Sequence, residues 1–253
     1  MAILRLEHVK RSHGESFAVI VIGDVHGCLK TLQSLISLLP KDDEIVFVGD
    51  LIDRGPSCVD TLKFVRDRGY KVVRGNHEDL MLWWFRGHKA ADLAFASTGK
   101  PTQTISGHYG RSSRLWQMNG GNEDQPWDDD IIDWVTTWPV YFEFPEVVDD
   151  TGRILFVSHA APYNSIHKST VDVPGMTASE LDRSVLWYRG DPPRDDKRFF
   201  VFGHTPRPVP DIDRGFAMID TGCVYRSRSA KFKYLTAFQY PSRQVWQVEN
   251  IDI

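Results

Sequence analysis

The stretch FAVIVIGDVHGCLKTLQSLISLLP, residues 17–40, joins two kinds of regular structure. Residues 17–23 are apolar, rich in branched side chains and end at a glycine, which is typical of a buried strand. Residues 28–40 carry leucine and isoleucine at helical spacing and stop at a proline, which predicts an amphipathic helix. Asp24 and His26 lie between the two, where an aspartate does nothing to extend a strand. The stretch therefore predicts a strand–loop–helix unit with polar groups at the end of its strand.

The alternation of strand and helix continues as far as residue 87. Short apolar runs that end in a Gly-containing polar motif are followed by apolar side chains at helical spacing, which predicts stacked βαβ units. Further along the chain, strand patterns outnumber helical ones. The other predicted elements are strands over 44–50, 70–76, 153–159, 199–204, 215–222, 234–240 and 243–250, and helices over 57–69, 78–87 and 128–139.

Two long stretches interrupt this order and carry no sustained apolar period. Residues 87–127 are rich in Gly, Ser, Thr and Asn, and residues 160–198 contain four prolines. Both are interpreted as insertions in a single domain that spans residues 1–253. The predicted fold class is therefore α/β, which some classifications would call α+β.

The composition limits the classes to which the chain can belong. Of its 253 residues, 42% are hydrophobic and 25% are charged, which is ordinary for a globular protein. A formal net charge of −4 argues against nucleic acid as a partner, and no apolar run approaches the roughly 20 residues that cross a bilayer. The three cysteines are odd in number and far apart, and the first residues lack the apolar core of a secretory signal. A cytoplasmic protein that does not bind membranes is expected.

Five predicted strands each end in a cluster of polar side chains. In an open α/β sheet, ligands bind beyond the carboxyl ends of the strands, so these side chains are expected to meet at one edge. Any one of them alone would more often be a core or surface residue, and it is the ordered set that favours a site. The clusters are Asp24 and His26; Asp50, Asp53 and Arg54; Asn76, His77 and Glu78; His159; and His204.

The residue types in these clusters favour metal binding. Aspartate, asparagine and histidine suit manganese, zinc or iron, and no cysteine joins them. Six or seven such ligands are too many for one tetrahedral ion, so they favour two ions roughly 3.5–4 Å apart that share a carboxylate. Two ions in this arrangement can hold a hydroxide and bind the oxygens of a phosphate. The sequence therefore predicts a two-metal site that acts on phosphate esters.

The motifs GDVHG, GDLIDRG and GNHE, a strand-end histidine and GHT resemble those of the PPP-type metallophosphatases. That family holds the Ser/Thr protein phosphatases and the symmetrical diadenosine tetraphosphate hydrolases. WQMNGG at 116–121 and IDTGCVY…LTA at 219–237 are similar to segments of its bacterial and phage branch. The resemblance runs from about residue 18 to about residue 238. It implies a calcineurin-like β-sandwich flanked by helices, with metals at the carboxyl ends of the strands.

The resemblance also implies a role for each position. Arg54 would bind phosphate oxygens, His77 would protonate the leaving oxygen, and Asp53 would orient and charge His77. Arg189 resembles the family's second phosphate-binding arginine, and Asn76 would also lie at the phosphate. The alternatives are a helix cap for His77 and a solvated loop residue for Arg189. The implied metal ligands are Asp24, His26 and Asp50 for the first ion, and Asp50, Asn76, His159 and His204 for the second.

Three functions are compatible with the core motifs. The preferred one is a phosphatase of phosphoserine and phosphothreonine proteins, also active on small aryl phosphates, that works by direct attack of a hydroxide held between the metals. The alternative is a symmetrical dinucleoside polyphosphate hydrolase that cleaves diadenosine tetraphosphate. The third is a silent binding scaffold, which the complete set of site residues disfavours. Two divalent ions are the expected cofactors, with manganese ahead of iron or zinc.

Two basic segments bear on the choice of substrate. Residues 86–116 combine arginine, lysine and histidine with aromatic side chains, and residues 226–233 read RSRSAKFK. The first could hold a nucleotide or a phosphopeptide, and the second could reach an acidic substrate. The alternatives are a solvated loop for the first segment and a hairpin tip for the second.

Overall fold

The structure is a computed structural model that describes residues 18–85, 129–162, 185–190 and 195–253. The insertion predicted at 87–127 and the basic segment at 86–116 lie outside these ranges, as do most residues of the insertion predicted at 160–198. Within the described ranges, no helix is both long enough and apolar enough to cross a membrane.

The described elements alternate as predicted at the start of the chain and are mostly strands towards its end. In chain order they are β1 (Val19–Ile22), α1 (Leu29–Ser37), β2 (Glu44–Phe47), α2 (Cys58–Asp67), β3 (Lys71–Val72), α3 (Asn76–Phe85), α4 (Asp129–Thr136), β4 (Tyr141–Val148), β5 (Ile154–Ser158), β6 (Arg198–Phe202), β7 (Asp211–Ile212), β8 (Phe216–Met218), β9 (Tyr234–Tyr240) and β10 (Val245–Glu249).

These strands form two five-stranded sheets. In the first sheet the order is β10-β9-β1-β2-β3, and β1, β2 and β3 are parallel, as the strand–helix alternation predicts. In the second sheet the order is β4-β5-β6-β8-β7, and β5, β6 and β8 are parallel. The parallel strands of each sheet therefore direct their carboxyl ends towards one edge.

Alternate side chains of β1 face two different layers. Ile20 and Ile22 pack in an apolar cluster with residues of α1 and α2. Val19 and Val21 pack in a second cluster with residues of the second sheet. Because successive side chains of a strand point to opposite faces, the first sheet is covered by helices on one face and by the second sheet on the other. The expected helix-flanked β-sandwich is confirmed.

Both sheets contribute to the site, although the rule for an open α/β sheet places all five polar clusters at the edge of one sheet. His159 follows β5 and His204 follows β6, so both histidines come from the second sheet, whereas the other polar clusters follow strands of the first. The strand ends of two stacked sheets, and not of one, meet at the site.

The sequence pattern does not predict strand β4. Pro145 lies within it and cannot donate a backbone hydrogen bond, which argues against a regular strand. The structure accommodates the proline at an irregularity, because the pairing of β4 with β5 shifts register between Phe144 and Val148. The strand predicted at 215–222 is also shorter than expected, since β8 ends at Met218 and the following residues leave the sheet.

The basic segment at 226–233 is not a hairpin tip. It follows a 3-10 turn at Cys223–Tyr225 and leads into β9. Since β8 belongs to the second sheet and β9 to the first, this part of the chain crosses from one sheet to the other.

Candidate active site

The carboxylate of Asp50 lies at the centre of the predicted site. Its Oδ2 atom is 3.6 Å from His26 Nε2, 3.5 Å from His159 Nε2 and 3.9 Å from His77 Nε2. Among the described residues, two groups of side chains could hold a metal ion, and Asp50 belongs to both, once with His26 and His77 and once with Asp24 and His159. One carboxylate shared by two ligand groups is the arrangement expected of two bridged ions.

Three further donor atoms converge on the second-sheet side of Asp50. Asn76 Oδ1 is 2.9 Å from both His159 Nε2 and His204 Nδ1, and these two nitrogens are 3.0 Å apart. The backbone N–H of His204 donates to Asp24 Oδ1 at 3.2 Å, which connects this group to Asp24. The six predicted ligands are all buried and lie together: Asp24, His26, Asp50, Asn76, His159 and His204.

Backbone carbonyls fix which nitrogen of two histidines faces the site. His26 Nδ1 is 2.7 Å from the carbonyl oxygen of Ile52, and His159 Nδ1 is 2.9 Å from that of Val48. Because a carbonyl only accepts, each Nδ1 must carry the hydrogen, which leaves the lone pair of Nε2 directed into the site. Burial lowers the pKa of both imidazoles, which favours their neutral form. Neutral imidazoles with inward lone pairs are what a metal ligand requires.

The buried carboxylates lie close to one another, and a bound cation would reduce the repulsion between their charges. Burial, reinforced by the charges of Asp220 and Asp50, raises the pKa of Asp24 well above its ordinary value. Burial acts on Asp50 in the same direction, but the nearby histidines, His159 first, outweigh it and lower the pKa of Asp50. His204 directs Nδ1 towards Asn76, and burial lowers its pKa to about 2. Since bound metal cations favour ionised carboxylates and neutral imidazoles, this donor set fits divalent ions.

The backbone is strained at the site. Of the described non-glycine residues, six have a positive φ, and five of these are predicted site residues. Such conformations cost roughly 1–3 kcal/mol each and persist only where the surroundings enforce them. The five are His26 (φ 48°), Asp50 (φ 51°), Asp53 (φ 70°), Arg54 (φ 72°) and His204 (φ 68°).

Glu78 enforces the conformation of the Asp50 loop. Its Oε2 accepts hydrogen bonds from the backbone N–H groups of Asp50 and Gly75, both at 2.9 Å, and its Oε1 accepts one from Leu51 at 2.8 Å. The side chain is fully buried. The sequence pattern places Glu78 in a polar cluster but gives it no role, because two of its three partners lie 27 and 28 residues away along the chain.

The three predicted catalytic side chains lie beside Asp50. His77 Nδ1 makes a close hydrogen bond to Asp53 Oδ2, and the backbone N–H of His77 donates to Asp50 Oδ1 at 3.0 Å. Burial alone would lower the pKa of His77, but the charges of Asp50 and Asp53 outweigh it and raise that pKa. The guanidinium of Arg54 donates to His26 Nε2. Arg189 reaches the same place, because its Nη1 donates to the carbonyl oxygen of His204 at 3.3 Å.

Asp220 is a buried carboxyl group at the site that the sequence pattern did not single out. Only 4% of its surface is exposed. Burial raises its pKa to about 7, although Oδ1 accepts a hydrogen bond from the backbone N–H of Gly222 at 2.9 Å. In the sequence, Asp220 stands out only as part of the motif IDTGCVY. No spacing along the chain indicates that it lies near Asp24.

Comparison with known proteins assigns the chain to a family of phosphoesterases. The sequence profile of the calcineurin-like phosphoesterase family matches residues 17–235, so the chain belongs to that family. The chain is therefore a hydrolase of the dinuclear-metal phosphoesterase type, as the motifs predict.

Three relatives indicate which kinds of phosphoesterase the chain is similar to. The asymmetrical bis(5'-nucleosyl)-tetraphosphatase PrpE of Oceanobacillus iheyensis is 25% identical over 91% of each chain. The symmetrical bis(5'-nucleosyl)-tetraphosphatase of Psychromonas ingrahamii is 42% identical over 82% of this chain and 90% of its own. Serine/threonine-protein phosphatase 1 of Salmonella typhimurium is 36% identical, but over only 41% of this chain and 39% of its own. The comparisons thus favour the tetraphosphatase alternative over the protein phosphatase preferred from sequence.

The hydrogen bonds of Glu78 predict a measurable link to metal binding. Glu78→Gln replaces one acceptor oxygen by an NH2 group that faces backbone donors, so the Asp50 loop loses at least one of its three hydrogen bonds. We expect the free energy of unfolding of the metal-free protein to fall by about 1–3 kcal/mol. We also expect the Kd for manganese to rise by about 10-fold or more, because Asp50 is displaced.

Urea unfolding and isothermal titration calorimetry measure these two quantities. Glu146→Gln, a substitution of an exposed glutamate, is the matched control and should change neither. A manganese Kd equal to that of the unaltered protein in Glu78→Gln would contradict the assigned link.

Proposed function

We propose that this chain hydrolyses dinucleoside tetraphosphates such as diadenosine tetraphosphate at the central anhydride and releases two nucleoside diphosphates. The observation that carries the proposal is the position of the Asp50 carboxylate between two ligand groups, with two arginines beside them. Two divalent ions and two guanidinium groups would together supply enough positive charge to bind a polyphosphate. The names of the two long-matching relatives support the same substrate class.

The residues proposed to hold the ions are the six buried donors that lie together around Asp50. Asp24, His26 and Asp50 would hold the first, and Asp50, Asn76, His159 and His204 the second. Divalent ions bound there would polarise the phosphate and lower the pKa of water. Manganese is the proposed metal, and iron and zinc are compatible with the same ligands.

The chain's own groups account for the remaining steps. Arg54 and Arg189 would bind the phosphate oxygens, since a guanidinium forms paired hydrogen bonds with them. The attacking water would first release one proton to solvent; its oxygen would then form a bond to phosphorus, the bridging P–O bond would break, and the bridging oxygen would leave with the other nucleoside diphosphate. His77 would donate its Nε2 proton to that oxygen, and Asp53 would hold the imidazole in place through Nδ1.

Phosphoprotein hydrolysis is the second candidate function. The partial match to a protein phosphatase supports it, although that match spans less than half of this chain. The two reactions would use the same core residues, so the substrate must be distinguished by assay.

The proposed function predicts the products of one reaction. The manganese-loaded protein, incubated with diadenosine tetraphosphate, should yield ADP as the only nucleotide product, which anion-exchange chromatography measures. Asp50→Asn should abolish the reaction. AMP and ATP in equal amounts would instead indicate asymmetrical cleavage. No cleavage, with turnover of a phosphoserine peptide, would overturn the proposal in favour of the second candidate.

The proposed role of His77 predicts a dependence on the leaving group. Phenyl phosphate and p-nitrophenyl phosphate are close in size, but phenolate is the stronger base and needs a proton to leave. His77→Asn should therefore lower kcat for phenyl phosphate by about 10²-fold or more, and clearly less for p-nitrophenyl phosphate. Equal losses for both esters, in steady-state assays with saturating manganese, would show that His77 does not supply the proton.

A further inference from the structure

The guanidinium of Arg54 lies against an aromatic ring from a distant part of the chain. Arg54 Cζ is 5.4 Å from the centroid of the Tyr225 ring, within the range of a cation–π interaction. Both side chains are partly buried, so water screens the interaction less than at an open surface. Arg54 itself has φ 72°, and its short backbone turn alone does not fix where a long flexible side chain points.

Hydrogen bonds on both sides of Tyr225 hold the backbone that carries its ring. The backbone N–H of Tyr225 donates to the carbonyl oxygen of Gly222 at 2.8 Å. The carbonyl oxygen of Tyr225 in turn accepts from the N–H groups of Arg228 at 2.8 Å and Ser229 at 2.9 Å. Gly222 has φ 69°, and a side chain there would place its Cβ 2.6 Å from Phe232 Cβ. Position 222 therefore has to be glycine for the turn to close.

The basic segment at 226–233 supports this turn with its charges. Arg226 Nη1 donates to the carbonyl oxygen of Asn250 at 2.6 Å, and Arg226 Nε is 3.5 Å from Glu249 Oε1. Lys233 Nζ is 3.1 Å from Glu249 Oε2. These two basic side chains are thus bound to the end of the chain, which fixes both ends of the segment that follows Tyr225.

We propose that Tyr225 is a positioning residue whose ring holds the Arg54 guanidinium in place to bind a phosphate group. The proposal rests on the phosphate-binding role of Arg54 in the proposed function. It concerns the aromatic face of Tyr225 and not its hydroxyl. It also gives the basic segment at 226–233 a structural task, because the segment fixes the turn that carries the ring.

The test compares two substitutions of Tyr225 by their affinity for inorganic phosphate. Isothermal titration calorimetry with the manganese-loaded protein gives the Kd for phosphate. Tyr225→Leu removes the aromatic face, and we expect the Kd to rise by about 3- to 10-fold. Tyr225→Phe keeps the face and removes the hydroxyl, and the Kd should stay within about twofold of the original value.

A double-mutant cycle with Arg54→Ala separates positioning from general damage. Once the guanidinium is gone, Tyr225→Leu should produce no further rise in the phosphate Kd, since its whole effect acts through Arg54. Tyr234→Leu is the matched control, because its ring lies 5.2 Å from Lys233 Nζ in the same part of the chain but does not contact Arg54. It should leave the phosphate Kd unchanged.

Three results would overturn the proposal. They are an unchanged Kd in Tyr225→Leu, an equal rise in Tyr225→Leu and Tyr225→Phe, and a rise of the same size in the Arg54→Ala background. Melting temperatures show whether each variant is folded, and Tyr225→Met, which fills the space without an aromatic face, replaces a leucine variant that does not fold. Because inorganic phosphate binds any phosphoesterase site, these results are independent of whether diadenosine tetraphosphate is the substrate.

Discussion

The hydrogen-bonded position of the Asp50 carboxylate is the constraint on which the rest of the site depends. Three backbone N–H groups around it are bound by one buried side chain, Glu78. The Asp50 carboxylate itself lies within 4 Å of three imidazole nitrogens that come from three separate parts of the chain. A shift of this loop would therefore separate both ligand groups at once.

The sandwich supplies the rigidity that this loop requires. A positive φ is costly for a residue other than glycine. Five such residues lie in the loops that follow β1, β2 and β6, and the side chains of these three strands are almost wholly buried. The two sheets pack through a continuous apolar layer that contains Val48 and Val157, each within two residues of a site residue. Packing energy far from the chemistry thus stabilises a backbone that would be unfavourable on its own.

The local part of the site could be predicted from the sequence, and the non-local part could not. Each predicted ligand lies within four residues of the end of a strand, so its position depends on a few neighbouring residues. The roles of Glu78, Asp220 and Tyr225 depend instead on partners far away in the sequence, and no periodicity reveals such pairs. Strand β4 could not be predicted because Pro145 lacks a backbone N–H group, and the structure accommodates it where the pairing with β5 shifts register. The sequence motifs could not rank the two substrate classes for a related reason, since the core residues are the same for both, and the relatives support the tetraphosphatase alternative better than the phosphoprotein preference.

In the proposed two-metal site, the Asp50 carboxylate would be the ligand that both ions share. Electron paramagnetic resonance of the manganese(II)-loaded protein, combined with atomic emission to count the metal, tests it most directly. We expect two manganese ions per chain with an exchange-coupled spectrum, and loss of the coupling in Asp50→Asn. A spectrum of isolated manganese ions at saturation, or coupling that survives Asp50→Asn, would contradict it.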